Sequence, residues 1–344
     1  MSMLRKFISP SVIAFLIALS FAPTVRAGWP ARIFAPYMYI GEGDQFKLTD
    51  CDDACGLKYY TLAFIIARQE GEEKNITYHP EPAWDGRFPV GQDVYKDQID
   101  SIRKRGGDVI MSFGGESGKE LANVISDPAQ LEAAYEKVVD TYQFTWLDFD
   151  VEGSNLDQGR QASERRNNVL ARLQTKYPGL IISFTLPVDP NGLSEESQRL
   201  LTDAKAWGVK VHSVNLMVMY FGEGFINKGK TEGQLGVDSA TTAYAQLQKI
   251  DPGIRVGLCP CLGRNGTQNE VFTLADAQIL KAFADKTPWV CSLHYWSINA
   301  DAARSRKKKV AAATPPGTNN PAAITGSATR PWDFANLFKS FTTH

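Results

Sequence analysis

Short runs rich in aromatic and β-branched residues occupy positions 33–40, 59–66, 108–115, 144–152, 180–187, 211–220, 254–259 and 290–296. Between them lie longer stretches whose apolar residues recur at helical spacing. These fall near 94–105, from Ala122 through Gln130 to Tyr142, near 159–177, after Ser194, and near 239–250, 273–284 and 331–338. Short apolar runs bounded by turn residues read as buried strands, and 3.6-residue periodicity reads as amphipathic helix. Gly106-Gly107 supplies a helix stop, and Ser194 followed by Glu195 and Glu196 supplies a helix start. Eight strands, each followed by a helical pattern, predict an α/β fold: a single (β/α)8 TIM barrel over 28–344 with no linker inside it. The doubly wound alternative lacks support, because Gly114-Gly115 does not continue into a phosphate-binding glycine loop. Ala67 to about Gln92, rich in Gly, Pro and charge, reads as a functional or decorative loop. Residues 301–331, with a basic knot at Arg304, Arg306 and Lys307 to Lys309, read as a flexible loop.

Composition narrows the classes. The chain has 344 residues, 43% of them hydrophobic, and a formal net charge of −1. No basic excess exists to hold nucleic acid or a membrane surface. Arg5 and Lys6, the apolar run from Val12 to Ala22, and Val25-Arg-Ala27 describe a secretory signal over 1–27 cleaved after Ala27. The alternative is a retained membrane anchor. The expected product is secreted, extracellular or periplasmic, free of the membrane and monomeric. Five cysteines suit an oxidising compartment. Cys51 and Cys55 are close enough in sequence to form a disulfide, and Cys259, Cys261 and Cys291 would form one more pair and leave an odd thiol. Zinc is the rival, but none of the four histidines stands at ligand spacing from these cysteines.

Candidate chemistry concentrates in Phe144-Thr-Trp-Leu-Asp-Phe-Asp-Val-Glu-Gly153. On a strand, period two sends Asp148, Asp150 and Glu152 to one face and Leu147, Phe149 and Val151 to the other. An isolated pattern of this kind also describes an antiparallel strand with a wet acidic face. In a barrel the outer face is covered by helices, so the carboxylates point inward, and barrel active sites lie at the C-terminal strand ends. Glu152 is the last residue of the pattern. The expectation is that the ionised lower pair raises its proton affinity, and a glutamate protonated at neutral pH suits a general acid for glycosidic bond cleavage.

These residues resemble glycoside hydrolase family 18, the chitinase and endo-β-N-acetylglucosaminidase family. Its fourth-strand D-x-x-D-x-D-x-E signature is matched by Asp148, Asp150 and Glu152, and its third-strand S-x-G-G by Ser112-Phe-Gly-Gly115. Its sixth-strand methionine–tyrosine segment is matched by Asn215-Leu-Met-Val-Met-Tyr220, and its eighth-strand tryptophan by Trp296. The resemblance covers about residues 33–340. It departs at the first aspartate, which is Thr145, and at the sixth strand, where Met219 and Tyr220 stand in place of tyrosine and aspartate.

The resemblance implies a secreted chitinase acting on β-1,4-linked N-acetylglucosamine polymers or oligomers by substrate-assisted retention, with neither metal nor organic cofactor. Glu152 would protonate the glycosidic oxygen and later act as base, and the substrate's N-acetyl oxygen would attack the anomeric carbon. Asp150 would orient the acetamido group, Asp148 would share a proton or hydrogen bond with Asp150, and Tyr220 would supply a phenol. Trp296 would floor the sugar. Tyr37 and Met217 are candidates for pocket lining, with plain barrel filling as the alternative. Gly114 and Gly115 allow close substrate approach or only let the third strand turn. The alternatives are an enzyme of the same chemistry on N-linked glycans and a non-hydrolytic chitin-binding barrel.

Overall fold

The computed structural model describes residues 28–40, 47–71, 75–92, 95–157, 160–226, 228–267, 269–302 and 330–343. The expected signal at 1–27 and all but the ends of the expected loop at 301–331 lie outside these residues. No described helix is long and apolar enough to cross a membrane.

The eight apolar runs become eight barrel strands. They are β1 (Ile33–Phe34 and Tyr37–Tyr39, interrupted at Pro36), β2 (Tyr59–Glu70), β3 (Asp108–Gly114), β4 (Trp146–Asp150), β5 (Ile181–Asp189), β6 (Val211–Met217), β7 (Arg255–Cys259) and β8 (Val290–Leu293). Each is followed by its helix: α1 (Leu48–Cys55), α2 (Tyr95–Lys104), α3 (Pro128–Tyr142), α4 (Arg160–Lys176), α5 (Glu195–Ala206), α6 (Glu232–Ile250), α7 (Leu274–Lys286) and α8 (Asp333–Phe338). The strands pair in parallel in chain order. The ring closes because β1 bonds β8 through Ile33–Phe34 and β2 through Tyr37–Tyr39. The outward row Leu147, Phe149 and Val151 is buried in the main core between sheet and helices. There Phe149 stacks on Phe113 at 5.1 Å, and Tyr135 of α3 meets it edge-on.

The stretch after Ile66 is no simple loop: β2 runs on to Glu70 and pairs antiparallel with Thr77–Trp84, itself paired with Phe88–Pro89. Pro80 and Pro82 hid this hairpin, since proline is tolerated in strands only at edges and bulges, and the register does shift beside Pro82. Helix α6 begins at Glu232 rather than near 239, set by a capping box between Thr231 and Gln234. Its Gly233 and Gly236 are packing contacts against Asp276 of α7 and Val218, where a Cβ would sit within 3.4 Å of a neighbour. Cys51 and Cys55 form no disulfide and are both thiols. They stand one turn apart on α1, where Cβ atoms are about 5–6 Å apart and beyond disulfide reach. The Cys55 thiol instead donates to the Cys51 carbonyl at 3.1 Å.

The barrel interior is layered. At the N-terminal end Trp29, Ile33, Tyr59, Ile110, Trp146 and Ile181 form an apolar plug. Thr145, at the position of the signature's first aspartate, accepts a 3.0 Å hydrogen bond from Trp29 Nε1 there, far from the mouth. A polar layer built around Asp148 lies above the plug, and an aromatic and sulfur-bearing layer lies above that.

Candidate active site

Strand register positions the first acid. Ser112 on β3, Asp148 on β4 and Ser183 on β5 lie side by side, all pointing inward. Asp148 is wholly buried. Ser112 and Tyr37 donate to its Oδ2 at 2.8 and 2.9 Å, and Ser183 and Asn215 donate to its Oδ1 at 2.7 and 3.1 Å. Thr185 lies 3.0 Å from both oxygens. Burial pushes the Asp148 carboxyl up, and this set of donors pulls it back.

Two residues higher the surroundings change. Gly114, Asp150 and Thr185 share the next register row, and the Asp150 carbonyl accepts from Gly115 N at 3.0 Å. Asp150 is 4% exposed, yet its Oδ1 has no hydrogen-bond partner. Its carboxyl is held well above the usual range, first by burial and then by the charges of Glu152 and Asp148 on either side. It hydrogen-bonds up to Glu152. The expected bond between Asp148 and Asp150 is replaced by this upward contact, because the donors around Asp148 already claim both its oxygens.

Glu152 is half-buried at the strand end, and its carboxyl is raised to about 7. The cause differs from the expectation. Burial comes first and the charge of Glu116 second, while the hydrogen bond from Asp150 acts downward. Asp150, flanked by Glu152 above and Asp148 below, is the one on which the charge of Asp148 acts, so the upper pair holds a shared proton.

The lining follows from the neighbouring strands. Tyr37, Ala63, Met219, Cys259 and Cys261 form one buried group, joined by Phe64, Met217 and Trp296. Tyr37 therefore does two things, lining this layer and donating to Asp148 below it. Trp296 is partly buried and stacks on Phe64 at 5.6 Å and 14°, with Tyr37 and Tyr39 each 6.0 Å away. The peptide bonds Ala63–Phe64 and Trp296–Ser297 are both cis. Gly114 and Gly115 are packing positions: a Cβ on Gly114 would meet the Asp150 carbonyl at 2.2 Å, and one on Gly115 the Phe64 ring at 2.7 Å. Both residues are at positive φ, as a turn at the end of the third strand requires.

Tyr220 sits at the edge of this group. It is 46% exposed at φ 54°, its hydroxyl is bonded to Cys261, and burial first, then Cys261, Glu116 and Glu270, push its phenol up. Other buried acids serve as ties. Glu232, Glu270 and Asp276 accept from Asn265, from Gly222 N, and from Gly233 N and Thr273, fastening the loops after β6 and β7. Glu116, Phe64, Met219, Cys259 and Cys261 were not among the sequence candidates. Period-two projection of β6 and β7 beyond Met217 and Cys259 would have found the sulfur residues. Glu116 follows the S-x-G-G segment directly, but nothing in its own residue type marks it.

No protein-family model matches the chain. The probable bifunctional chitinase/lysozyme of Escherichia coli (strain K12) is 31% identical over 301 residues, covering 81% of this chain and 32% of that protein. Endochitinase 11 of Metarhizium anisopliae is 31% identical over 303 residues, covering 81% of this chain and 54% of that protein. The chain thus spans about a third and about half the length of these curated relatives. The catalytic domain of the hyperthermophilic chitinase from Pyrococcus furiosus superposes with a TM-score of 0.73 at 30% identity, over 91% of this chain and 96% of that one. The chain belongs to glycoside hydrolase family 18. Within the family, the fold is shared even with the distant catalytic domain of the fern Peteris ryukyuensis chitinase, at a TM-score of 0.53 and 13% identity. The inward carboxylates of β4 and the aromatic group at Trp296 thus lie inside a barrel of this family's fold.

Proposed function

We propose that this chain is an exported chitinase that hydrolyses β-1,4-linked N-acetylglucosamine chains by a retaining, substrate-assisted mechanism. The observation that carries the reading is Asp150, buried beneath Glu152, whose Oδ1 accepts from no donor of the barrel wall. A buried acceptor with no donor costs about 1–3 kcal/mol, so it is kept where a ligand supplies the missing partner. A substrate acetamido N–H supplies it. That bond favours the ionised form of Asp150 and leaves the shared proton on Glu152, which faces the glycosidic oxygen. The acetamido oxygen, held by the same contact, attacks the anomeric carbon as Glu152 protonates the departing sugar. Glu152, now a carboxylate, takes a proton from the water that opens the cyclic intermediate, and the starting state returns. Trp296, backed by Phe64, offers an aromatic face to the C–H face of the ring being cleaved.

Likeness to proteins named chitinase and endochitinase supports the choice of chitin over other N-acetylglucosamine glycans. The apolar run at 12–22 supports export. The test is release of a chromophore from an N-acetylglucosamine oligomer by wild type and Glu152→Gln. Loss of a positioned general acid lowers the rate about 10²–10⁴-fold. Equal rates would remove Glu152 from the mechanism. Binding of the oligomer without cleavage by the wild type would leave a chitin-binding barrel instead.

A further inference from the structure

The mouth of the barrel carries an unusual run of sulfur. Met217 on β6 and Cys259 on β7 are register partners. Val218 N donates to the Cys259 carbonyl at 3.1 Å, so the two segments stay adjacent one step further, and Met219 and Cys261 join the same buried group. All four side chains belong to the one group that also holds Tyr37 and Trp296. Met217 is only partly buried, and the exposed Tyr220, bonded to Cys261, forms the rim above. Met219, Cys259 and Cys261 are buried, so solvent reaches the group at Met217 and the rim.

We infer that Met217, Met219, Cys259 and Cys261 form a binding site for a soft monovalent d10 metal ion, of the copper(I) or silver(I) class, inside the catalytic pocket. Thiol and thioether sulfurs select such ions, whereas zinc, calcium and magnesium take harder donor sets. Among the described residues no three His, Cys, Asp or Glu side chains converge as a metal site, so a harder ion finds no equivalent cage. The thioethers make the difference.

The binding step balances in charge. One thiol forms a metal–sulfur bond and releases its proton to water, and the thioethers add neutral ligands. The cation and the single thiolate then cancel, so no net charge is added beside Asp150 and Glu152. Cys261 is the thiol best placed to do this, since its sulfur already meets the Tyr220 hydroxyl at the rim. An ion seated there occupies the space that the proposed function gives to the substrate's N-acetyl group and inhibits cleavage. That consequence rests on the proposed function; the binding site does not.

The probe is silver(I) in chloride-free buffer, with ions retained per chain counted by native mass spectrometry. Cys51, Cys55 and Cys291 are buried elsewhere in the fold and give the background. Wild type is expected to retain one silver ion more than a folded Cys259→Ser/Cys261→Ser variant. Met217→Leu/Met219→Leu, which conserves volume, is expected to weaken that ion by about tenfold or more, and it carries the test alone if the cysteine variant does not fold. Retention unchanged in either folded variant would overturn the site. A second measurement places the ion in the pocket: Glu152→Gln saturated with an N-acetylglucosamine oligomer should lose the extra ion. An oligomer that binds while the ion stays would also overturn the inference. An oligomer that fails to bind at all would count against the proposed function, and the variant counts alone would then decide the metal site.

Discussion

Asp148 and Asp150 are the same residue type on the same face of one strand, two positions apart, and the structure treats them oppositely. Around Asp148 the barrel is a closed polar layer. Donors from β1, β3, β5 and β6 meet both carboxylate oxygens, so the side chain is fully engaged by the barrel wall. Around Asp150 the wall changes to Tyr37, Met217, Cys259 and Trp296, one oxygen has no partner, and the proton is shared with Glu152. Burial alone does not mark a reactive acid. What marks it is burial with incomplete satisfaction, next to a second acid at the mouth.

The largest effect that could break this contrast is on rate. Asp150→Asn should lower hydrolysis about 10²–10³-fold, the range seen when one preorganised polar contact to a reacting group is lost. Its unfolding midpoint should stay near the wild type's, because the lost carboxylate had an unmet acceptor. Asp148→Asn should show the reverse emphasis. Its amide must point an N–H₂ group at donors built for a carboxylate, so stability should fall by about 2–3 kcal/mol in chemical denaturation. If Asp148→Asn were as stable as wild type, the polar layer would not be the fixed scaffold described here.

A smaller effect lies in pH. The folded-state proton affinity of Glu152 is raised from the ordinary 4.5 to about 7, so the folded protein holds this proton more tightly than the unfolded chain. The Glu152 contribution is therefore most favourable below about 4.5 and is lost as pH rises through about 7. Glu152→Gln, which stays neutral, should be more stable than wild type above pH 7 and level with it in acid. Urea denaturation at several pH values reads this directly, and a difference independent of pH would mean that Glu152 is not held protonated by its surroundings. The same titration predicts that wild-type hydrolysis declines above pH 7 as the general acid ionises.

The sequence carried the acidic strand and the barrel around it because period-two alternation and strand counting are both local patterns, and together they fix which way Asp148, Asp150 and Glu152 point. It did not carry which of the three was satisfied. The donors to Asp148 come from Tyr37, Ser112, Ser183, Thr185 and Asn215, residues spread over most of the chain and brought together only by strand register. Phe64 was equally hidden, since a continuous apolar run such as 59–66 does not show which residues face inward. The cysteines misled for a related reason. Sequence distance paired Cys51 with Cys55, whereas their place on one helix keeps them apart, and Cys259 and Cys261 earned no attention beyond redox counting although they line the pocket.

The most direct measurement of the central claim is the anomeric form of the first product. Proton NMR during hydrolysis of an N-acetylglucosamine oligomer by the wild-type protein reads it before mutarotation blurs it. If Asp150 holds the acetamido group for attack on the anomeric carbon, the new reducing end appears first as the β-anomer. An initial α-anomer would mean direct attack by water and would contradict the role given to Asp150.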